Sequence, residues 1–287
     1  MNATILSGGC LELMPGFDPD RVLALMDAGR ITKFFAVPTI YVRMLNIAGL
    51  KEKLGKVHYC FSAAASMAAD IVHQWKARTG LSIHEGYGMT EAAPTVAYNH
   101  HVKHVIGSVG TAVPNVEIQI RDLNGLQVEQ GREGEVCVRG PNIMKGYYNN
   151  PEGTREAFWD NGWLRSGDVG MLDEGGYLYI VDRLKDMIIT GGENVYSLEV
   201  EDVIYTHPDV QECAVIGSPD KEWGEIVTAF VIPQPNKTID EKRLKDFLKS
   251  RLSSYKVPKL ISIVDDFPKS PAGKILKRAL RKSLKKS

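Results

Sequence analysis

Lys and Arg total 35 of the 287 residues and Asp and Glu also total 35, so the formal net charge is zero, with 44% hydrophobic and 24% charged residues. That balance suits a globular chain with enough apolar material for one large domain or two. It excludes a membrane-spanning helix, since no apolar run approaches the about 20 residues required, and the widely spaced Cys10, Cys60, Cys137 and Cys213 exclude a disulfide framework or a Cys-x-x-Cys zinc site.

No basic leader with an apolar centre and a small-residue cleavage site opens the chain, so the expected location is cytoplasmic. Met1 to Met14 reads as the middle of a helix-to-strand passage more than as a domain start. Asp18-Pro19 is a helix entry, an N-cap carboxylate followed by proline at the first helical position, with Val22, Leu25 and Met26 on one face and Gly29 as the stop. Ile31–Val37 reads as a buried strand, Pro38–Leu45 as a helix and Val57–Ser62 as a strand. Strands alternating with helices predict a parallel, layered α/β sheet.

Two strand-end loops follow. The small residues from Phe61 to Ser66 would let a planar ligand approach the backbone, although such runs usually serve packing. His84 to Glu91 is more pointed. It sets the Tyr87 ring between Gly86 and Gly88, then the Thr90 hydroxyl and the Glu91 carboxylate. That set suits stacking on a base, bonding a phosphate oxygen and holding Mg²⁺. His100, His101 and His104 have no cysteine or carboxylate at ligand spacing and read as exposed loop residues.

From Val109 to Ile180 the pattern is antiparallel β, with Glu117–Ile120 and Gly134–Gly140 alternating about a turn at Asn124-Gly125, which predicts a small barrel or twisted sheet. Within Trp163 to Asn194, Asp168 falls in a Gly-flanked turn, Tyr177–Val181 is a strand, and Asp182 to Asp186 is a charge-dense joint. A short apolar run, Met187–Ile189, and a Gly191-Gly192 turn complete the stretch. A carboxylate such as Asp168 can accept bonds from two sugar hydroxyls, and an arginine at a strand end, Arg183, can reach a ribose or phosphate oxygen. The charges taken alone would be a solvated linker.

Beyond the joint, Ser197 is expected to cap a helix with Leu198, Val203 and Ile204 inward and Glu199 and Glu201 in its first turn, where the helix dipole favours them. Strands at Cys213–Gly217, Glu225–Ile232 and Leu260–Val264, and a helix at Asp240–Leu252, predict a compact α+β domain of about 100 residues. The loop Pro268–Lys274 leads into a basic helix. From Lys237 onward 16 Lys and Arg stand against 5 Asp and Glu, so this segment carries +11 and residues 1–236 carry −11. Nothing in this segment interleaves aromatics with the basic residues as a single-strand binder would, so no nucleic-acid partner is expected.

Four strings, GYGMTE, GPNIMKGYYNN, the hinge around Asp182-Arg183-Leu184-Lys185 and PKSPAGK, occur in an order that resembles the AMP-forming acyl-CoA synthetases of the adenylate-forming superfamily. The resemblance implies that Tyr87 stacks on adenine, Thr90 binds the α-phosphate and Glu91 supports Mg²⁺. It implies that Asp168 binds the ribose hydroxyls, Arg183 contacts ribose or phosphate, and Lys185 is the pivot of a mobile C-terminal domain. Ala64, Ala65, Gly88 and Ile180 would complete the nucleotide site, with Ala63-Ala64 in place of the usual Gly-Gly. Gly191, Gly192 and Glu193 would line the pantetheine path, and Lys274 would stabilise charge at the α-phosphate. The GPNIMKGYYNN segment is assigned a structural role at the barrel edge.

The implied cofactors and partners are ATP or AMP, Mg²⁺, coenzyme A and a carboxylic acid, a fatty acid by resemblance, with a homodimer left open. The fold class expected is α/β plus α+β, a partial layered α/β domain with an antiparallel β subdomain (1–105 and 106–183) and then a small mobile domain (184–287). The family's Ser/Thr/Gly-rich phosphate loop is missing between Met1 and Glu85, so the chain is expected to be roughly the C-terminal half of a synthetase. The alternatives are an adenylate-binding protein without overall catalysis and an interaction module using the basic terminus. Val37, Thr39 and Pro94 are candidates for the acid pocket.

Overall fold

A computed structural model describes residues 2–14, 16–270 and 274–284. Their strands form three five-stranded sheets. The expected α/β plus α+β class forms, with the parallel pattern giving way to antiparallel pairing inside the first sheet.

The first sheet is built from α1 (Asn2–Leu6), α2 (Pro19–Asp27), β1 (Lys33–Ala36), α3 (Pro38–Leu45), α4 (Leu50–Lys53), β2 (Tyr59–Ser62), α5 (Ala69–Thr79), β3 (Ile83–Gly88), β4 (Thr95–Tyr98) and β5 (Thr111–Ala112). The strand order is β1-β2-β3-β4-β5; β1, β2 and β3 run parallel, and β4 and β5 add antiparallel. The Asp18 carboxylate caps α2 by accepting from the amides of Asp20 and Arg21. Leu23, not Leu25, joins Val22 and Met26 in the core. Helices α3 and α5 bury Phe34, Cys60 and Ile83 on one face of the sheet. Phe35 on the other face is 61% exposed, so β1 is buried on one side only, as the period-2 alternation of side chains requires.

The second sheet contains β6 (Glu117–Arg121), β7 (Gly134–Arg139), α6 (Pro151–Glu156), β8 (Phe158–Trp159), β9 (Trp163–Leu172) and β10 (Leu178–Arg183), ordered β10-β9-β7-β6 with β8 on β9. The turn at Asn124-Gly125 forms because the Asp122 carboxylate accepts from the amides of Asn124 and Leu126, both 2.9 Å, with Gly125 at φ +79°. Asp168 was expected in a turn but lies inside β9, opposite Arg183 of β10. Gly167, at φ +70°, bends that strand without ending it.

The third sheet comprises β11 (Ile188–Thr190), β12 (Glu193–Val195), α7 (Ser197–Tyr205), β13 (Val210–Asp220), β14 (Gly224–Pro233), α8 (Glu241–Lys249), β15 (Leu260–Ile263) and α9 (Lys277–Leu284). Its order is β12-β11-β14-β13, with β15 parallel to β14. Gly191 and Gly192 have φ of +59° and +88°, as a two-residue hairpin between β11 and β12 needs. The expected cap on α7 is corrected: Tyr196 holds the cap position with no side-chain bond, and the Ser197 hydroxyl donates to Asp182 instead. Its inward face carries Ser197, Val200, Glu201 and Ile204, and Glu201 is buried where a solvent-facing first-turn carboxylate was expected. Tyr205 packs against the cores of both the first and third sheets.

Candidate active site

Strand β3 and the β9–β10 pair meet at Tyr87, Asp168 and Arg183. The Tyr87 hydroxyl donates to Asp168 Oδ2 at 2.6 Å. Arg183 Nε lies 3.1 Å from Asp168 Oδ1, and the Asp168 amide donates to Ser166 Oγ at 3.0 Å. Asp168 is 6% exposed, so its charge is shielded and partnered. Burial, and then the adjacent Asp168 charge, push the Tyr87 phenol well above its ordinary pKa, which keeps its proton on the oxygen as a donor. The ring is therefore held by its edge, with Tyr87, Met89 and Ile180 packed against the same apolar cluster.

The turn after β3 leaves no room for a side chain at Gly88, whose added β-carbon would fall 1.8 Å from the Pro94 carbonyl oxygen. The Met89 amide donates to that same carbonyl at 2.8 Å. A short 3₁₀ turn over Thr90–Ala92 then presents Thr90 exposed and Glu91 half-buried. The GPNIMKGYYNN segment, expected only to shape a barrel edge, grips this turn. Tyr147 Oη donates to Glu91 Oε1 at 2.9 Å, the Met144 amide donates to the Glu91 carbonyl at 2.8 Å, and Asn142 Nδ2 donates to the Ala92 carbonyl at 2.7 Å. Tyr147, Met144 and Asn142 are thus residues that the sequence reading missed. The only local signal for them is a polar and aromatic run with no core periodicity.

Lys274 approaches the cluster from the third-sheet side. Its Nζ donates to the Ala64 carbonyl at 3.3 Å. Its main chain is fixed by bonds with Ser270: amide to hydroxyl at 3.2 Å, and the Ser270 amide to the Lys274 carbonyl at 2.8 Å. Burial first, then the charges of Arg183 and Lys185, hold the Lys274 ammonium pKa below its ordinary value, with Asp168 opposing them. Pro271, Ala272 and Gly273 of the PKSPAGK string lie outside the described residues. Ala64 sits at φ +74°, a left-handed conformation that costs an L-residue about 1–2 kcal/mol. That is the physical reason a glycine suits this position, and it turns the carbonyl toward Lys274.

The remaining candidates are spread out. Ala65 is exposed beside Ala64. Lys185 is exposed in a turn closed by the Asp186 and Met187 amides, which donate to the Arg183 carbonyl. Gly191, Gly192 and Glu193 form a hairpin tip whose contacts run to Trp223: the Gly191 amide donates to the Trp223 carbonyl at 2.9 Å. Val37 precedes α3, a helix that begins with Pro38. His100 and His101 are exposed as expected, but His104 is half-buried with Nε2 3.0 Å from the Ile83 carbonyl, which corrects that part of the reading. Among the described residues no group of three His, Cys, Asp or Glu side chains could hold a metal, and no helix is long and apolar enough to cross a membrane.

An aromatic ring held by its edge, a shielded carboxylate, an arginine and a lysine converging from another sheet form a site suited to a ribose and its phosphate. The family model described as AMP-binding enzyme matches residues 1–148, and the AMP-binding enzyme C-terminal domain model matches residues 199–274. The chain belongs to the AMP-binding enzyme family.

Among curated relatives it is 42% identical over 282 residues to a feruloyl-CoA synthase of Amycolatopsis sp, covering 97% of this chain and 57% of that protein. It is 39% identical to a long-chain-fatty-acid–CoA ligase of Bacillus subtilis (98% and 50%). The chain therefore spans about half the length of these relatives. ATP-bound MatB from Rhodopseudomonas palustris matches with TM-score 0.92 at 39% identity, over 99% of this chain and 56% of that one. The apo form of that protein gives 0.75 at 40% identity, over 99% and 57%.

Proposed function

We propose that this chain carries the adenylate-binding and hinge machinery of an AMP-forming acid:CoA ligase. The observation that carries the reading is the convergence of Tyr87, Asp168 and Arg183 with Lys274, whose Nζ reaches the Ala64 carbonyl. In this reading adenine stacks on Tyr87, the ribose hydroxyls donate to Asp168, and Arg183 and Thr90 face the α-phosphate. In the whole ligase the acid's carboxylate oxygen bonds to the α-phosphorus as the bond to pyrophosphate breaks, and Lys274 offsets the charge that develops, an effect worth about 10²–10³ in rate per preorganised donor; this chain, without the phosphate loop between Met1 and Glu85, is expected to carry that step very weakly. The CoA thiol then loses its proton and bonds to the acyl carbon as the bond to AMP breaks. Residues 184–287 turn about Lys185 between the steps, and Gly191, Gly192 and Glu193 line the thiol's path.

Glu91 fits Mg²⁺, a cation that takes one or two carboxylates and leaves the rest of its shell to water and phosphate. One oxygen of Glu91 is held by Tyr147, which fixes the orientation of the other. Bound Mg²⁺ would neutralise phosphate charge there. A fatty acid is the expected acid; the feruloyl-CoA synthase relative favours an aryl acid as a second reading. Calorimetric titration with AMP, a fatty-acyl adenylate and feruloyl adenylate, followed by thioester assay on adding CoA, tests both. Saturable binding is expected, with the tighter adenylate naming the acid. Absence of saturable adenylate binding would overturn the proposal.

A further inference from the structure

Asp182 at the end of β10 is 2% exposed, and its partners lie beyond the joint. Its Oδ1 accepts from Ser197 Oγ at 3.1 Å and from the Arg183 amide at 2.7 Å, and its Oδ2 accepts from the Ser197 amide. Lys277 of α9 closes the group, with Nζ donating to Ser197 Oγ at 2.7 Å and 2.8 Å from Glu201 Oε1. Glu201 Oε1 in turn accepts from the Val215 amide at 2.6 Å, which ties the group to β13. Burial favours the neutral form of Lys277, but Glu201 and Asp182 outweigh it and hold its pKa above the ordinary lysine value, so the ammonium stays charged. A second pair, Arg281 Nη1 to Asp186 Oδ1 at 2.8 Å, fastens the next turn of α9 to the joint itself.

The placement matters more than the number of bonds. Asp182 belongs to the second sheet, Ser197, Glu201 and Lys277 to the elements of the third, and the exposed Lys185 lies between. A rotation about the joint must pull Ser197 and Lys277 away from Asp182. Lys277 also follows Lys274 by three residues, so tying the start of α9 to Asp182 through Ser197 limits how far Lys274 Nζ can stray from the Ala64 carbonyl. The chain matches ATP-bound MatB better than apo MatB, 0.92 against 0.75 at nearly equal identity. The arrangement containing these contacts is therefore the one similar to the nucleotide-bound relative.

We propose that Asp182, Ser197 and Lys277 form a latch across the joint, with Asp182 as a positioning residue for Lys274, and that the latch must open for the C-terminal elements to turn. The two-step role rests on the function proposed above; the latch itself rests on the contacts. The test uses the whole chain with Cys10, the exposed free cysteine, replaced by serine. Spin labels go on cysteines at the exposed positions Lys53 of α4 and Lys242 of α8, and their separation is measured by pulsed electron spin resonance. The unsubstituted latch should give one distance.

Asp182→Asn sets an amide donor against either the Ser197 amide or the Ser197 hydroxyl, and Lys277→Met removes the cation at similar volume. Each should raise the population of a second distance by about ten- to a hundredfold. Lys249→Met is the control. It breaks the exposed Lys249–Asp246 pair, 3.2 Å apart, which lies wholly within α8 and does not cross the joint. It should leave the single distance unchanged.

A broad distribution in the parent, an unchanged distance in folded Asp182→Asn, or an equal shift in Lys249→Met would overturn the proposal. Should Lys277→Met fail to fold, Asp182→Asn decides alone. AMP calorimetry on the parent keeps the two readings apart: no binding there removes the proposed function and leaves the distance result standing.

Discussion

Replacing Asp168 tests the site at its centre, because the carboxylate holds Tyr87 and Arg183 and, in the proposed function, takes the ribose hydroxyls. The Tyr87 bond, at 2.6 Å to a charged and 6% exposed acceptor, belongs to the class worth about 1.5–3 kcal/mol. The Arg183 side chain is 43% exposed, so that pair is screened by solvent and contributes about 0–1 kcal/mol. Asp168→Ala should therefore lower unfolding free energy by about 1.5–4 kcal/mol. Tyr87→Phe should cost about 1.5–3 kcal/mol, and the double variant should fall short of the sum by most of the shared bond.

Urea unfolding followed by tryptophan fluorescence measures the cycle. An ionised carboxylate has about four acceptor sites, two of which Tyr87 and Arg183 occupy, so two stay open for ribose hydroxyls. Losing both should, on the proposed function, lower AMP affinity by about 10²- to 10⁴-fold in calorimetry. Additivity within about 0.5 kcal/mol would refute the shared bond, and unchanged AMP affinity in a folded Asp168→Ala would remove the carboxylate from the ribose site.

Gly88→Ala should be strongly destabilising or insoluble, since its β-carbon would lie 1.8 Å from the Pro94 carbonyl oxygen; a soluble variant with parent-like melting would contradict that contact. Ala64→Gly relieves the φ of +74° and should be neutral or raise stability by up to about 1 kcal/mol, whereas Ala63→Gly, with no such strain to relieve, should lower it by about 0.5–1 kcal/mol in the same thermal scan. Burial, with Asp202 adding to it, pushes the Glu85 carboxyl from its ordinary 4.5 to about 8. The folded chain then keeps a proton that the unfolded chain has released, so Glu85 makes stability fall as pH rises between about 4.5 and 8. Glu85→Gln should flatten that slope and gain a few kcal/mol relative to the parent at pH 8. Equal slopes in urea midpoints across the window would exclude it. Tyr87→Ala should weaken AMP binding by the value of one aromatic–base contact, about 1–3 kcal/mol, read by the same calorimetry.

Residues whose conformation is set by their neighbours in sequence were legible without any structure. The Asp18 cap, the helix starting at Pro38, the Asn124-Gly125 turn and the Gly191-Gly192 hairpin all form where local backbone preference puts them. The family, too, was readable from four short strings, because close backbone approaches such as that at Gly88 admit very few residue types.

Tertiary structure alone decided which charged and aromatic groups meet. Nothing near Asp168 in sequence indicates Tyr87, 81 positions away, nor anything near Glu91 its clamp by Tyr147, 56 positions away. The same holds for Asp182, Glu201 and Lys277: as separate residues they read as surface charges, and Glu201 as an ordinary first-turn acid. Asp182 and Glu201 are buried, and Lys277 half-buried, because three elements pack together; a lone charge has no reason to leave water until its counter-charge and hydrogen-bond donors arrive from distant parts of the chain.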